Sequence, residues 1–101
     1  MDVQYELRGI RFRWNAEKAK RNIAKHGVSF EQGAEVFFDP FLRYADASRK
    51  GEHRDAAIGC DFEFRILYVV HLLVEEDEYI RIVSARKADA NERKRYEDAD
   101  D

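Results

Sequence analysis

With 101 residues and a formal net charge of -3, the chain can build one core but not two, so residues 1–101 are read as a single domain. Hydrophobic residues make up 45%, including seven Phe and five Tyr, so the 39% charged fraction describes a surface rather than a disordered chain. The longest apolar run, Ile66 to Val74, is broken by His71 and falls far short of the roughly 20 residues of a membrane helix. No signal-peptide order is present in the first fourteen residues, and a lone Cys60 cannot form an internal disulfide; a cytoplasmic protein with no membrane contact is expected.

In chain order, Arg11 to Trp14 alternates like a short strand, and Asn15 can cap a helix from Ala16 to His26 that Gly27 stops. The apolar stripe of that helix is read as Ala16, Ala19 and Ile23, with Lys18, Arg21, Asn22 and Lys25 opposite. Ser29 and Gln32 have capping-box spacing, which opens a second helix with Phe30, Ala34, Phe37 and Phe38 on its buried side, ending before Asp39-Pro40. Strands are predicted over 42–45, 54–59, 63–75 and 79–85, and Asp89 with Glu92 opens a last helix. Two N-terminal helices, strands joined by short turns and one C-terminal helix imply α+β with a mainly antiparallel sheet.

Charge is unevenly spread: residues 1–26 and 80–96 each carry +4 in an acidic chain. Even-numbered hairpin loops would put Leu67 opposite both Arg54 and Arg86, with Arg65 diagonal to them on the same face. Three arginines gathered there need anions, either neighbouring carboxylates or a phosphate. That register makes Phe62, Phe64, Ile66, Tyr68, Val70, Val83 and Ala85 the main core face, and leaves His71, Leu73, Ser84, Ile80 and Ile82 with the arginines. On pattern alone His71 is a satisfied core histidine and His53 a solvated one. One cysteine and three scattered histidines give no ligand spacing, so no metal or cofactor is expected.

The stretches RFRWNAEKAKRNIAKHGVSFEQGAEVFFDP, Arg54 with AIG, and IRIVSARKADANERKRYE resemble the BrnT family of toxins from bacterial toxin-antitoxin systems. Asn15 stands where that family commonly has Asp, a change in a helix cap. The resemblance implies a fold similar to RelE-type ribonucleases and metal-independent RNA cleavage through the 2'-OH, which inhibits translation. It also implies a BrnA-like antitoxin of ribbon-helix-helix type, through which alone operator DNA is contacted. Matched to this pattern, Arg54, Arg86, His26 and Tyr96 are the candidate catalytic residues. Lys18, Arg21, Lys25, Arg65, Arg81 and Lys87 are candidates for holding RNA, and the acidic tail 97–101 is read as a solvated terminus. The rival expectation is a catalytically inactive RelE-like module that only contacts antitoxin or nucleic acid.

Overall fold

A computed structural model describes residues Met1 to Asp98. Six strands form one sheet in the order β1-β2-β6-β5-β4-β3. They are β1 (Asp2–Leu7), β2 (Ile10–Asn15), β3 (Arg43–Asp46), β4 (Asp55–Cys60), β5 (Ile66–Val74) and β6 (Tyr79–Lys87). Helices α1 (Ala16–His26) and α2 (Phe30–Glu35) follow β2, a 3₁₀ turn at Val36–Phe38 extends α2, and α3 (Ala90–Glu97) follows β6. None of the helices is long and apolar enough to cross a membrane. Of the acidic tail, residues 99–101 lie outside the described residues.

The α+β class stands, but two N-terminal helices and a mainly antiparallel sheet do not. The chain opens with a β-hairpin, and the sheet is mixed because β2 runs parallel to β6. Arg8 and Gly9 make the hairpin turn with φ of 51° and 85°; a two-residue turn of that hand matches the twist of paired strands. Val3, Tyr5 and Leu7 then point to the core side, each packed against the buried cluster. The parallel pairing follows from the long path between β2 and β6, which passes through two helices and three strands where a hairpin could not.

Local chemistry sets the helix ends. The Asn15 side chain accepts from the Lys18 N–H at 3.0 Å, and Gly27, at φ 69°, donates its N–H to the Ile23 carbonyl. Ser29 and Gln32 form a reciprocal capping box at α2, as Asp89 and Glu92 do at α3. The expected stripe of α1 is rotated, however: Asn22 is buried and Ile23 is half exposed. The parallel ladder ends at Arg13 opposite Arg81, so the edge of β6 beyond it lacks a strand partner. Asn22 supplies one, donating to the Ala85 and Val28 carbonyls at 2.7 and 2.8 Å and accepting from the Ala85 N–H at 3.2 Å. A buried backbone pair left open there costs more than exposing one Ile.

Two local features overturn the expected sheet faces. The β4–β5 loop holds five residues, Asp61 to Arg65, so Leu67 faces Gly59 and not Arg54. Asp61 builds that loop, accepting from the Glu63 and Arg65 N–H groups and from Arg65 Nε, each at 2.9 Å. The β5–β6 pairing begins as expected with Val74 opposite Tyr79, then slips at a bulge between Val70 and His71. The unpaired residue is Val83, and beyond it Tyr68, not Leu67, meets Arg86. One residue of slip exchanges the faces of a strand. Leu67, Val69, His71, Ile82 and Ala85 therefore lie under the helices, while Phe64 stands largely in solvent.

The core joins Phe12, Trp14, Val28, Phe30, Ala34, Val36 and these strand residues. Trp14 meets Phe30 edge-on with ring centroids 5.8 Å apart. A Cβ on Gly33 would lie 3.2 Å from that of Ala85, so α2 rests directly on β6. In contrast, α3 buries none of its residues. It is fastened by the Tyr96 hydroxyl to Asp39 and by Arg95 to the Tyr44 carbonyl.

Candidate functional site

On the face away from α1 and α2 lies an open groove of about 560 Å³. Arg54 and Arg86 both line it, with Arg49, Glu52, Ser48, Tyr68, Val70, Val83 and Ser84 among the other walls. They converge by a route different from the expected one. The five-residue loop puts Tyr68 on this face, and the bulge at Val83 keeps Ser84 and Arg86 beside it.

Arg54 ends a tight loop that returns the chain from β3 to β4. Ala47 donates to the Arg54 carbonyl at 2.9 Å, the Arg54 N–H donates to Ser48 Oγ at 3.1 Å, and Gly51 takes a left-handed φ of 81°. Its guanidinium lies 3.6 Å from Glu52, whose side chain is 73% exposed. At that distance, with the carboxylate so open to water, the pair holds weakly.

Arg86 is held more firmly. Its guanidinium carbon sits 4.4 Å over the Tyr68 ring, and Nη1 and Nη2 donate to the two Glu92 oxygens at 2.8 and 2.9 Å. The Glu92 hydrogen bonds raise the pKa of Arg86 above its ordinary value, so the charge is permanent. Tyr68 was assigned to the core by the expected register and Glu92 to a helix cap, so both of these groove features were missed. The cue for Glu92 was its separation of six residues from Arg86, the reach of a strand-to-helix corner.

A second, shallower groove of about 370 Å³ adjoins the first through Val83 and Ser84. Lys18, Arg21, Lys25 and His26 line it together with Asn22. Four of the expected residues are thus brought to one basic track, which meets the arginine groove at the β6 bulge. Inward rotation of Asn22 carries this helix face against β6.

Other candidates are placed elsewhere. Arg65 does not join Arg54 and Arg86, because Asp61, whose side chain is fully buried, holds it at 2.8 Å in the β4–β5 loop. Arg81 makes a fork to both Asp2 oxygens at 3.0 Å, tying β6 to β1. Lys87 pairs with Leu67 and so turns to the face opposite Arg86. Tyr96 is absent from the groove: its hydroxyl donates to Asp39 at 2.5 Å and lies 3.6 Å from Cys60 Sγ. Burial and the Asp39 bond push its pKa far above that of a free phenol. His71 is a core histidine whose Nδ1–H donates to the Val69 carbonyl at 3.1 Å, and burial lowers its pKa. His53 is exposed and lies 3.2 Å from Asp55.

Fold and site together define a small α+β protein with an arginine-lined groove on the less covered face of a mixed sheet. The chain belongs to the BrnT family: residues 14–92 match the family described as the ribonuclease toxin, BrnT, of type II toxin-antitoxin system. That span holds every residue named in both grooves and closes on Glu92, while β1 and Tyr96 fall outside it. No curated protein matches the chain. Family membership makes RNA the substrate and an antitoxin the partner.

Proposed function

We propose that the chain cleaves RNA through the substrate's own 2'-OH, without a metal, with Arg54 and Arg86 stabilising charge on the reacting phosphate. The observation that carries this reading is that both arginines line one groove. In such a reaction the nucleophile is part of the RNA. The enzyme must assist removal of the 2' proton, bind the dianionic phosphorane and protonate the departing 5'-oxygen. Guanidinium groups suit the second task, since they stay charged and offer paired donors to phosphate oxygens.

Lys18, Arg21 and Lys25 guide the RNA backbone along the adjoining track toward Ser84, and His26, which lines the same track, serves as acid or base. Tyr96 acts by anchoring α3, because its hydroxyl is engaged as a hydrogen-bond donor to Asp39. Arg65 and Arg81 stay with their carboxylates, Asp61 and Asp2, and Lys87 on the opposite face contributes charge only at a distance. Cleavage in the cytoplasm halts translation, and an antitoxin of ribbon-helix-helix type restores growth by covering the groove, bringing operator DNA to the complex through its own fold. A rival reading, a module that binds antitoxin or nucleic acid without chemistry, draws support from the carboxylates already near Arg54 and Arg86.

Expression without a partner separates the two. Wild type should arrest growth and fragment RNA, and Arg54→Ala or Arg86→Ala should lower cleavage on the order of a hundredfold with the fold intact. Purified protein should retain activity in EDTA. Intact RNA in the wild-type culture would establish the binding module, and a requirement for added divalent metal would rule out the mechanism above.

A further inference from the structure

We propose that Glu92 is a positioning residue for Arg86, fixing the rotation of the guanidinium so that its Nε–H edge faces the groove. The inference rests on the reading of Arg86 as a phosphate-binding group. A free arginine samples many rotamers, so its donors meet a phosphate only part of the time. Here the Tyr68 ring, 4.4 Å from the guanidinium carbon, lies against the group. It leaves open the rotation of the group within its own plane.

Glu92 closes that freedom by taking one proton from each terminal nitrogen, at 2.8 and 2.9 Å, while the Lys87 carbonyl takes another from Nη1 at 3.3 Å. Among the described residues, no acceptor meets Nε–H or the second proton of Nη2. These two donors share one edge and have the spacing of two phosphate oxygens. Glu92 is itself fixed, because its Oε1 also accepts the Asp89 N–H at 2.9 Å and its side chain is only 17% exposed. The first turn of α3 therefore sets the aim of an arginine in the sheet.

An ion pair that merely docks α3 would behave differently. Beside the groove, the Glu92 carboxylate opposes RNA binding by charge, so its removal should leave KM unchanged or lower while kcat falls. Full-length Glu92→Gln keeps the capping acceptor without the charge, and Glu92→Asp keeps the charge but shortens the reach. On a short single-stranded RNA with a fluorescent cleavage reporter, each should lose about tenfold or more in kcat, with KM not raised. Asp89→Ala breaks the cap from its other end, and should lower Tm while leaving kcat within about twofold.

Wild-type kcat in both Glu92 variants would overturn the proposal, as would an equal loss in Asp89→Ala. Arg86→Ala keeps the two levels apart. If it cleaves like wild type, the reading of Arg86 itself fails; if it is inactive while both Glu92 variants remain active, the positioning role alone fails.

Discussion

The two faces of the sheet are built on different physics. Under α1 and α2 the contacts are mainly apolar: Phe12, Trp14, Phe30, Leu67 and Val69 are buried, Gly33 lets α2 touch β6, and Asn22 is the polar contact between α1 and β6. On the opposite side, arginines, tyrosines and carboxylates meet through ion pairs and ring stacking, and α3 is fastened by polar bonds with no buried residue of its own. Apolar burial is insensitive to which ligand is present, whereas a guanidinium that keeps donors unused can take an anion as a further partner. Apolar stability is thus concentrated on one face and the arginine groove on the other, so substitutions in the core and in that groove should sort by face.

The sharpest contrast with the groove arginines is Phe30→Ala, which should cost about 3 to 5 kcal/mol in urea unfolding by leaving a cavity against Trp14. A loss comparable to that of an exposed residue would break the contrast. Asn22→Ala is expected to cost about 2 kcal/mol, because it strands the Ala85 N–H and carbonyl in a buried place. It also loosens α1 against β6, so cleavage should fall with stability, which marks Asn22 as the link between the faces. Tyr96→Phe should cost only about 1 kcal/mol, measured by the same unfolding curves, with cleavage by the folded fraction unchanged.

The smallest effect is one of pH. Burial lowers the pKa of His71 in the folded state, so the unfolded chain binds the proton more readily. The resulting stability is complete above the unfolded value of about 6.5 and is lost as pH falls through the lower folded value. His71→Leu should flatten the wild-type decline that sets in as pH falls below about 6.5. An undiminished slope in the variant would assign the decline to carboxylates.

Features governed by neighbouring residues were legible in the sequence. Asn15, Gly27, the Ser29–Gln32 box and the Asp89–Glu92 box all bound their helices as expected, because each acts within four residues. Strand pairing was not legible to the same degree. The Asp61 loop and the Val83 bulge each displace the register by an amount that composition does not encode. Arg54 and Arg86 still reach one groove because the two displacements place Tyr68 and Arg86 together on the face that Arg54 also borders. Arg65 had no such compensation, and the buried Asp61 that captures it reads in sequence as an ordinary turn acid. The N-terminal strand lies outside the expected elements although Asp2 to Leu7 alternates as Arg11 to Trp14 does, and that alternation was its signal in the sequence.

The parallel ladder between β2 and β6 comprises only two residue pairs, Phe12 with Ile80 and Arg13 with Arg81, before the strands part. Such a short join is a seam between an N-terminal unit and the antiparallel ribbons that follow. Transient opening along it would expose the Ala85 amide whenever α1 lifts, without disturbing the β5–β6 ladder. Deuterium should therefore enter at Ala85 in step with the amides of α1, ahead of its strand neighbours, giving the loosening of the first helix a single-residue reporter in the middle of the sheet.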